Sequence, residues 1–286
     1  MGVRYDYHGQ CDLIYTTCPG FDDDKGLHIH LRTQFVMPLE WSTIANLAVK
    51  IGDDTFELRN DGTYYVNREK NPTISDTTHL AGHKMTRKHQ TKPEGNDFTI
   101  ALGSGLSLKV LTRLKAGDRK RKASDPRSRD HNSLHFKILG VHDHRKDGGT
   151  SLSDCVGLTS EWDHPDDDTF LVGRSGTTYS KKNTVDFGPE WQVDRTKGDP
   201  MLFAEDAGQQ LPDQKCLDSR FDIQDKRHLK ALYTAEGGAL ALRAEDACRH
   251  LDGGTKDLFE ACVFDVLVTG DVSFAEMPWY DGGDEF

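Results

Sequence analysis

Five carboxylates, Glu161, Asp163, Asp166, Asp167 and Asp168, stand within eight residues of one another. Hard oxygen donors at that density suit calcium, which takes about six to eight oxygen ligands from carboxylates and backbone carbonyls. No thiol or paired imidazole in the segment favours a softer metal. The predicted calcium ligands are Glu161, Asp163, Asp167 and Asp168, and the alternative is a solvated acidic turn. Two histidine pairs invite a zinc reading: His28 and His30 at period two on one strand face, and His142 and His144 flanking Asp143. Neither pair has an identifiable third ligand, and exposed strand histidines that bind nothing are far commoner. For nucleophilic catalysis the pattern Gly103-Ser104-Gly105 reads as a hairpin turn, and every cysteine has a disulfide reading. The scattered Asp and Glu single out no glycosidase pair. No catalytic residue is therefore predicted, and the chain is expected not to be an enzyme.

Bulk composition narrows the classes further. A chain of 286 residues with 35% apolar side chains can bury a substantial core. Its mean hydropathy of -0.67 and lack of any apolar run near the roughly 20 residues needed to cross a bilayer predict no membrane-spanning helix. A net charge of -11 argues against nucleic-acid binding, which needs a surplus of Lys and Arg to neutralise phosphates. The one basic cluster, residues 113 to 129, has no apolar periodicity and reads as a solvated loop, with an anion or polymer contact as the alternative. The six cysteines include no Cys-x-x-Cys pair, so disulfides are the better reading and an oxidising compartment is implied. No apolar leader follows Met1, so the expectation is a secreted chain whose signal peptide lies upstream of this numbering.

These residues must be carried by strands first and helices last. Leu27, Ile29 and Leu31 alternate with His28, His30 and Arg32; Leu47, Val49 and Ile51 alternate with Ala48 and Lys50; Leu106, Leu108 and Val110 alternate with Ser107 and Lys109. Turn residues at 52–54, 60–62 and 103–105 separate such runs and suit antiparallel hairpins. A further alternating strand is read over 133 to 141. With no long helices between strands, the fold predicted is mainly β, an antiparallel two-sheet β-sandwich. Near the C-terminus the period changes to that of helices. Leu240, Ala244, Ala247, Cys248 and Leu251 share one helical face, and Leu258, Phe259, Cys262, Val263, Val266 and Leu267 share another. Thr255 can cap the second helix and Gly270 sits just past its end. The two make a small helical hairpin in which a bond between Cys248 and Cys262 is geometrically plausible.

Several stretches in matching order resemble von Willebrand factor type D domains. "YDYHGQCDLIY" (5 to 15) is similar to that domain's first strand, and "DCVGLTSEWDHPDDD" (154 to 168) to its Gly-Leu-Cys-Gly-Asn-x-Asp-Gly segment. "AEDACRHL" and "FEACVFDVLVTGD" resemble the end of the eight-cysteine module that follows it in mucins, and the whole set, with "FGPEWQV" and "MLF", looks most like cysteine-poor variants in secreted proteins of microalgae. There are departures: the Gly-Asp-Pro-His start is absent, Thr159 stands where the family has a cysteine, and most of the eight-cysteine module is missing. The resemblance implies a type D-like β domain over 1–205 and a helical appendix over 206–286. It also implies calcium at the acidic segment. Cys155 is the first choice of partner for Cys11, with Cys18–Cys155 as the competitor among 15 connectivities.

The function this implies is an extracellular or cell-surface structural, adhesion or assembly module, stabilised by calcium. Its partners would be other protein subunits or copies of itself, with polysaccharide as a further candidate. The runner-up is a secreted hydrolase or a ligand- or polysaccharide-binding protein on the same scaffold.

Overall fold

The computed structural model describes residues 9–36, 41–74, 77–91, 94–114, 133–140, 154–158, 170–180, 184–204, 216–218, 230, 233–251, 256–269, 272 and 275. They fall into two compact units, one holding the described residues from 9 to 218 and the other those from 230 to 275.

The first unit is the antiparallel sandwich that the period-two runs predict. One sheet has six strands in chain order: β2 (Asp12–Cys18), β3 (Leu27–Val36), β4 (Trp41–Ile51), β5 (Asp54–Arg59), β6 (Tyr64–Val66) and β7 (Glu69–Lys70). The other has five: β8 (Thr77–Leu80), β9 (His83–Thr91), β10 (Glu94–Gly103), β11 (Leu106–Arg113) and β12 (Ser133–Leu139). The turn signals fall where the hairpins need them, since Ile51 pairs with Asp54 around Gly52-Asp53 and Gly103 pairs with Leu106 around Ser104-Gly105. Leu27, Ile29, Leu47, Val49 and Ile51 from the first sheet meet Met85, Phe98, Ile100, Leu108 and Val110 from the second in one core. Phe98 sits at its centre, with ring centroids 4.9 Å from Phe56 and 5.2 Å from Tyr64. Each such side chain contributes roughly 1.5–3 kcal/mol on burial, which is what holds the two sheets face to face.

Strand alternation sends His28, His30, Arg32 and Ala48 to the opposite face of the six-stranded sheet. That face is not open to solvent. Described residues between 154 and 204 lie over it: Leu158, Leu171, Phe187, Trp191 and Val193 pack with Ile14, and Leu202 and Phe203 pack on Ala48. The layer contains the hairpin of β13 (Phe170–Val172) and β14 (Thr178–Ser180) and the helix α1 (Thr184–Glu190). Polar anchors pin it. Arg32 makes a bidentate pair with Asp12 at 2.5 and 2.7 Å, and its guanidinium lies 4.6 Å from the Phe203 ring centre. Buried Glu57 accepts from Asn46 at 2.8 Å, from Arg59 Nε at 2.8 Å and from the Ala204 backbone N–H at 2.7 Å.

Two disulfides tie this unit together, and their pairing corrects the sequence reading. Cys11 bonds Cys216, and Cys155 bonds Cys18; the expected Cys11–Cys155 bond is not formed. The reason is local. Thr17 and Val156 exchange backbone hydrogen bonds at 2.8 and 2.9 Å, which brings Cys18 beside Cys155, whereas Cys11 precedes the other end of the seven-residue strand β2, about 20 Å away. Cys11 instead meets Cys216 where β1 (Gly9–Gln10) pairs with β15 (Leu217–Asp218), so residues 216–218 belong to the β unit.

In the second unit α2 (Ala239–Cys248) and α3 (Lys256–Thr269) bury Leu240, Ala244, Cys248, Cys262, Val263, Val266 and Leu267 in a core of their own. Cys248 and Cys262 are bonded as expected, with Cα atoms 5.9 Å apart. Ala247 and Phe259 flank this core, while Thr255, Gly270 and the side chain of Leu258 lie outside the described residues.

Candidate functional site

A β-bulge builds the site. The pairing of β2 with β3 slips between Ile14 and Thr16, leaving Tyr15 as the extra residue. Residues three apart on a regular strand point to opposite faces, but the bulge returns Ile14 and Thr17 to the same outer face as His30 and His28, which they oppose. The Tyr15 ring makes an edge contact with Phe136 at 4.7 Å on the sandwich side. Gly157 passes so near the bulge that a Cβ there would collide with the Tyr15 carbonyl oxygen. This close passage lets Leu158 N–H reach the Ile14 carbonyl at 3.2 Å, while Ile14 N–H donates to the Trp191 carbonyl at 2.7 Å. The outer layer thus closes the free edge of β2 and leaves a space above it.

That space is a pocket of about 440 Å³. Its floor is Ile14, Thr17, His28 and His30, and its roof carries Val156, Val172, Trp191 and the pair Arg174–Asp199. Arg174 grips Asp199 with two hydrogen bonds of 2.7 and 2.6 Å, so the two charges cancel at the wall. Burial pushes the Asp199 carboxyl up, but the Arg174 bonds, the Asp194 backbone N–H and the Arg174 charge together hold it below the usual range. His28 shares a 2.8 Å hydrogen bond between Nδ1 and the Thr17 hydroxyl, and burial lowers its imidazole, helped by Lys50.

His30 is the unusual member. It is 1% exposed, and neither ring nitrogen has a protein hydrogen-bond partner; the indole N–H of Trp191, itself 5% exposed, has none either. Leaving a buried polar group unpaired costs about 1–3 kcal/mol each, so these three sealed atoms are a local cost of laying the outer layer on this face. Burial, with the neighbouring His28 and Arg174, drives the His30 imidazole down to about 3 against the opposing pull of Asp199. It is therefore neutral, with one N–H and one bare nitrogen.

Beside the pocket stands a second polar cluster. Glu190 accepts from the Ser175 backbone N–H at 2.9 Å, from the Ser175 hydroxyl at 2.8 Å and from the Tyr179 hydroxyl. Desolvation raises its carboxyl, but these donors outweigh that and leave it below the usual carboxylate range. A carboxylate so stabilised is a weak base, poorly suited to activating Ser175.

Glu161, Asp163, Asp167 and Asp168, the predicted calcium ligands, lie outside the described residues, as do His142, His144 and nearly all of the basic segment. Among the described residues no group of three or more His, Cys, Asp or Glu side chains is placed to hold a metal ion. His28 and His30 do share a face, as the period predicts, but they are not exposed strand histidines: the outer layer covers them. Sequence reasoning missed Trp191, Arg174 and Asp199 as their neighbours. The only advance signal was the placing of two polar rings opposite a fully apolar strand face. In comparisons with known proteins, no family model matches the chain and no curated protein matches it.

Proposed function

We propose that the chain is a module of a secreted or cell-surface protein, acting in structure, adhesion or assembly, with other subunits or further copies of itself as partners. The observation that carries this reading is the use of all six cysteines in three disulfides, two of which join segments 137 and 205 residues apart. Bonds of this kind persist in oxidising compartments. The resemblance to type D domains adds calcium at Glu161, Asp163, Asp167 and Asp168, supported by their carboxylate density. Of the runner-up readings, ligand binding is favoured over hydrolysis, because a pocket of about 440 Å³ lies between the sheet and its covering layer whereas the Ser175–Glu190 contact offers a weak base.

Labelling of intact cells with an antibody to the chain tests the location: signal on unpermeabilised cells is expected, and signal only after permeabilisation would refute it. Thermal unfolding tests the metal. Calcium should raise the midpoint above that in chelator and above that in sodium chloride of equal ionic strength, with about 2.7 kcal/mol gained at a hundredfold excess over the dissociation constant. Equal midpoints in wild type, matching those of Asp163→Ala, would remove calcium from the reading.

A further inference from the structure

We propose that the face of the five-stranded sheet turned away from the sandwich core, around Lys84, Lys88 and Lys109, is a docking surface for an acidic polysaccharide, a chain of sugar rings bearing carboxylate or sulfate groups. The inference specifies the polysaccharide among the candidate partners and rests on the cell-surface reading that brings such a partner within reach. Three observations combine.

The first is charge. Met85, Phe98, Ile100, Leu108 and Val110 face the core, so strand alternation sends Lys84, Thr86 and Lys88 of β9, Asp97 and Thr99 of β10, and Lys109 of β11 to the opposite face. Lys109 stands directly across from Lys137 of β12, a like-charged cross-strand pair of a kind that is destabilising in itself. Asp97, across from Lys88, is buried and accepts a 2.8 Å hydrogen bond from Gln90. Among the described residues no carboxylate forms an ion pair with Lys84, Lys88 or Lys109. The face is therefore basic on a chain whose net charge is -11. Physiological salt screens charges beyond about 8 Å, so a ligand on this face meets its lysines before the charge of the whole chain.

The second is spacing. Lys84 and Lys88 are exposed and lie four residues apart on β9, roughly 13 Å along the strand. Lys109 lies two strands away, roughly 10 Å across, and level with their midpoint, because Thr86 and Lys109 both pair with Thr99. A single small anion cannot touch all three ammonium groups. A polymer with repeated anionic groups can.

The third is the surface between the charges. Pairing sets Thr77, Thr86, Thr99, Lys109 and Lys137 in one row across all five strands. Threonine hydroxyls both donate and accept, which suits the hydroxyls of a sugar ring. Among the described residues the exposed large apolar side chains, Phe170, Val185, Tyr233, Leu242 and Val272, all lie on other elements. A protein partner is held mainly by aromatic or aliphatic anchors, and a single-stranded nucleic acid by rings on which its bases stack. A hydrated acidic polysaccharide needs neither.

The test measures binding to the purified, full oxidised chain by calorimetry. Probes are polygalacturonate and dextran sulfate, with neutral dextran, polyglutamate, single-stranded DNA and galacturonate monomer as comparisons. At least one of the two acidic polysaccharides is expected to bind, and to weaken about tenfold or more when sodium chloride rises from about 0.05 to about 0.3 M. Binding of polygalacturonate alone identifies carboxylate as the recognised group, and binding of dextran sulfate alone identifies sulfate. The monomer should bind about a hundredfold more weakly, since it meets one lysine at a time. Lys84→Gln, Lys88→Gln and Lys109→Gln together should weaken polymer binding about tenfold or more, whereas Lys70→Gln, Lys197→Gln and Lys230→Gln, the same charge change elsewhere, should stay within about twofold. Thr86→Val with Thr99→Val should weaken it about threefold or more through lost hydrogen bonds. Unchanged thermal midpoints show that the variants fold. No binding of either acidic polysaccharide, equal binding of neutral dextran, polyglutamate or DNA, or binding that survives either set of substitutions on the face would overturn the proposal. Because the measurement is made on purified protein, each of those results leaves the cell-surface location to its own test.

Discussion

With its imidazole held down at about 3 in the fold and near 6.5 when the chain is unfolded, His30 makes stability depend on pH. The unfolded chain binds the proton first, so this contribution is intact above about pH 6.5 and is lost progressively as pH falls towards 3. Of the facing groups, His28, whose imidazole is also lowered, and Asp199, whose carboxyl is held below its usual range, lose stabilisation in the same direction as pH falls, while Arg174 stays charged. Urea unfolding at pH 7 and pH 4 should show wild type losing about 3 kcal/mol more than His30→Phe. An equal loss in both would mean that His30 is protonated in the fold. At this scale the sequence made the His28 and His30 pairing on one face legible, because period two is a property of the backbone. The burial of that face was not legible. It depends on Trp191 and Val156, far along the chain, and on a bulge at Tyr15 that no residue type announces.

Between strands, the clearest dependence is on Glu57. It joins β4 through Asn46, its own strand through Arg59, and the covering layer through the Ala204 backbone, and Arg59 stacks 4.5 Å from the Tyr65 ring centre. Glu57→Ala would take the buried carboxylate away from Arg59 and the acceptor away from Asn46 and the Ala204 N–H, so a loss of about 3–5 kcal/mol is expected in chemical unfolding. A loss below 1 kcal/mol would show that Arg59 escapes to solvent. The strands themselves were readable, since Leu27 to Leu31, Leu47 to Ile51 and Leu106 to Val110 alternate against the polar face. The helical hairpin was readable for the same reason at a different period. The covering layer was not: Leu158, Leu171, Phe187, Trp191 and Val193 follow neither period, and its strands are three residues long. Such segments take their conformation from the surface they lie on.

Across the whole chain, the disulfides were legible as a set and in one case as a pair. Cys248 and Cys262 are 14 residues apart on two short amphipathic helices, and local geometry suffices. The choice between Cys11 and Cys18 for Cys155 required the bridge between Thr17 and Val156, a contact across 139 residues that local pattern does not encode. The resulting Cys11–Cys216 bond has a mechanical meaning. A chain pulled from both ends would carry tension into Cys11 and out through Cys216, so the sandwich and its covering layer would hang off the load path as an unstretched loop. In a force spectrometer the oxidised chain should yield no extension from those 205 residues, and reductant should release about 700 Å of hidden length. Early release without reductant would show that the bond is open. Between residues 11 and 216 such tension would be borne by a single sulfur–sulfur bond beside the first strands, with the pocket shielded from strain.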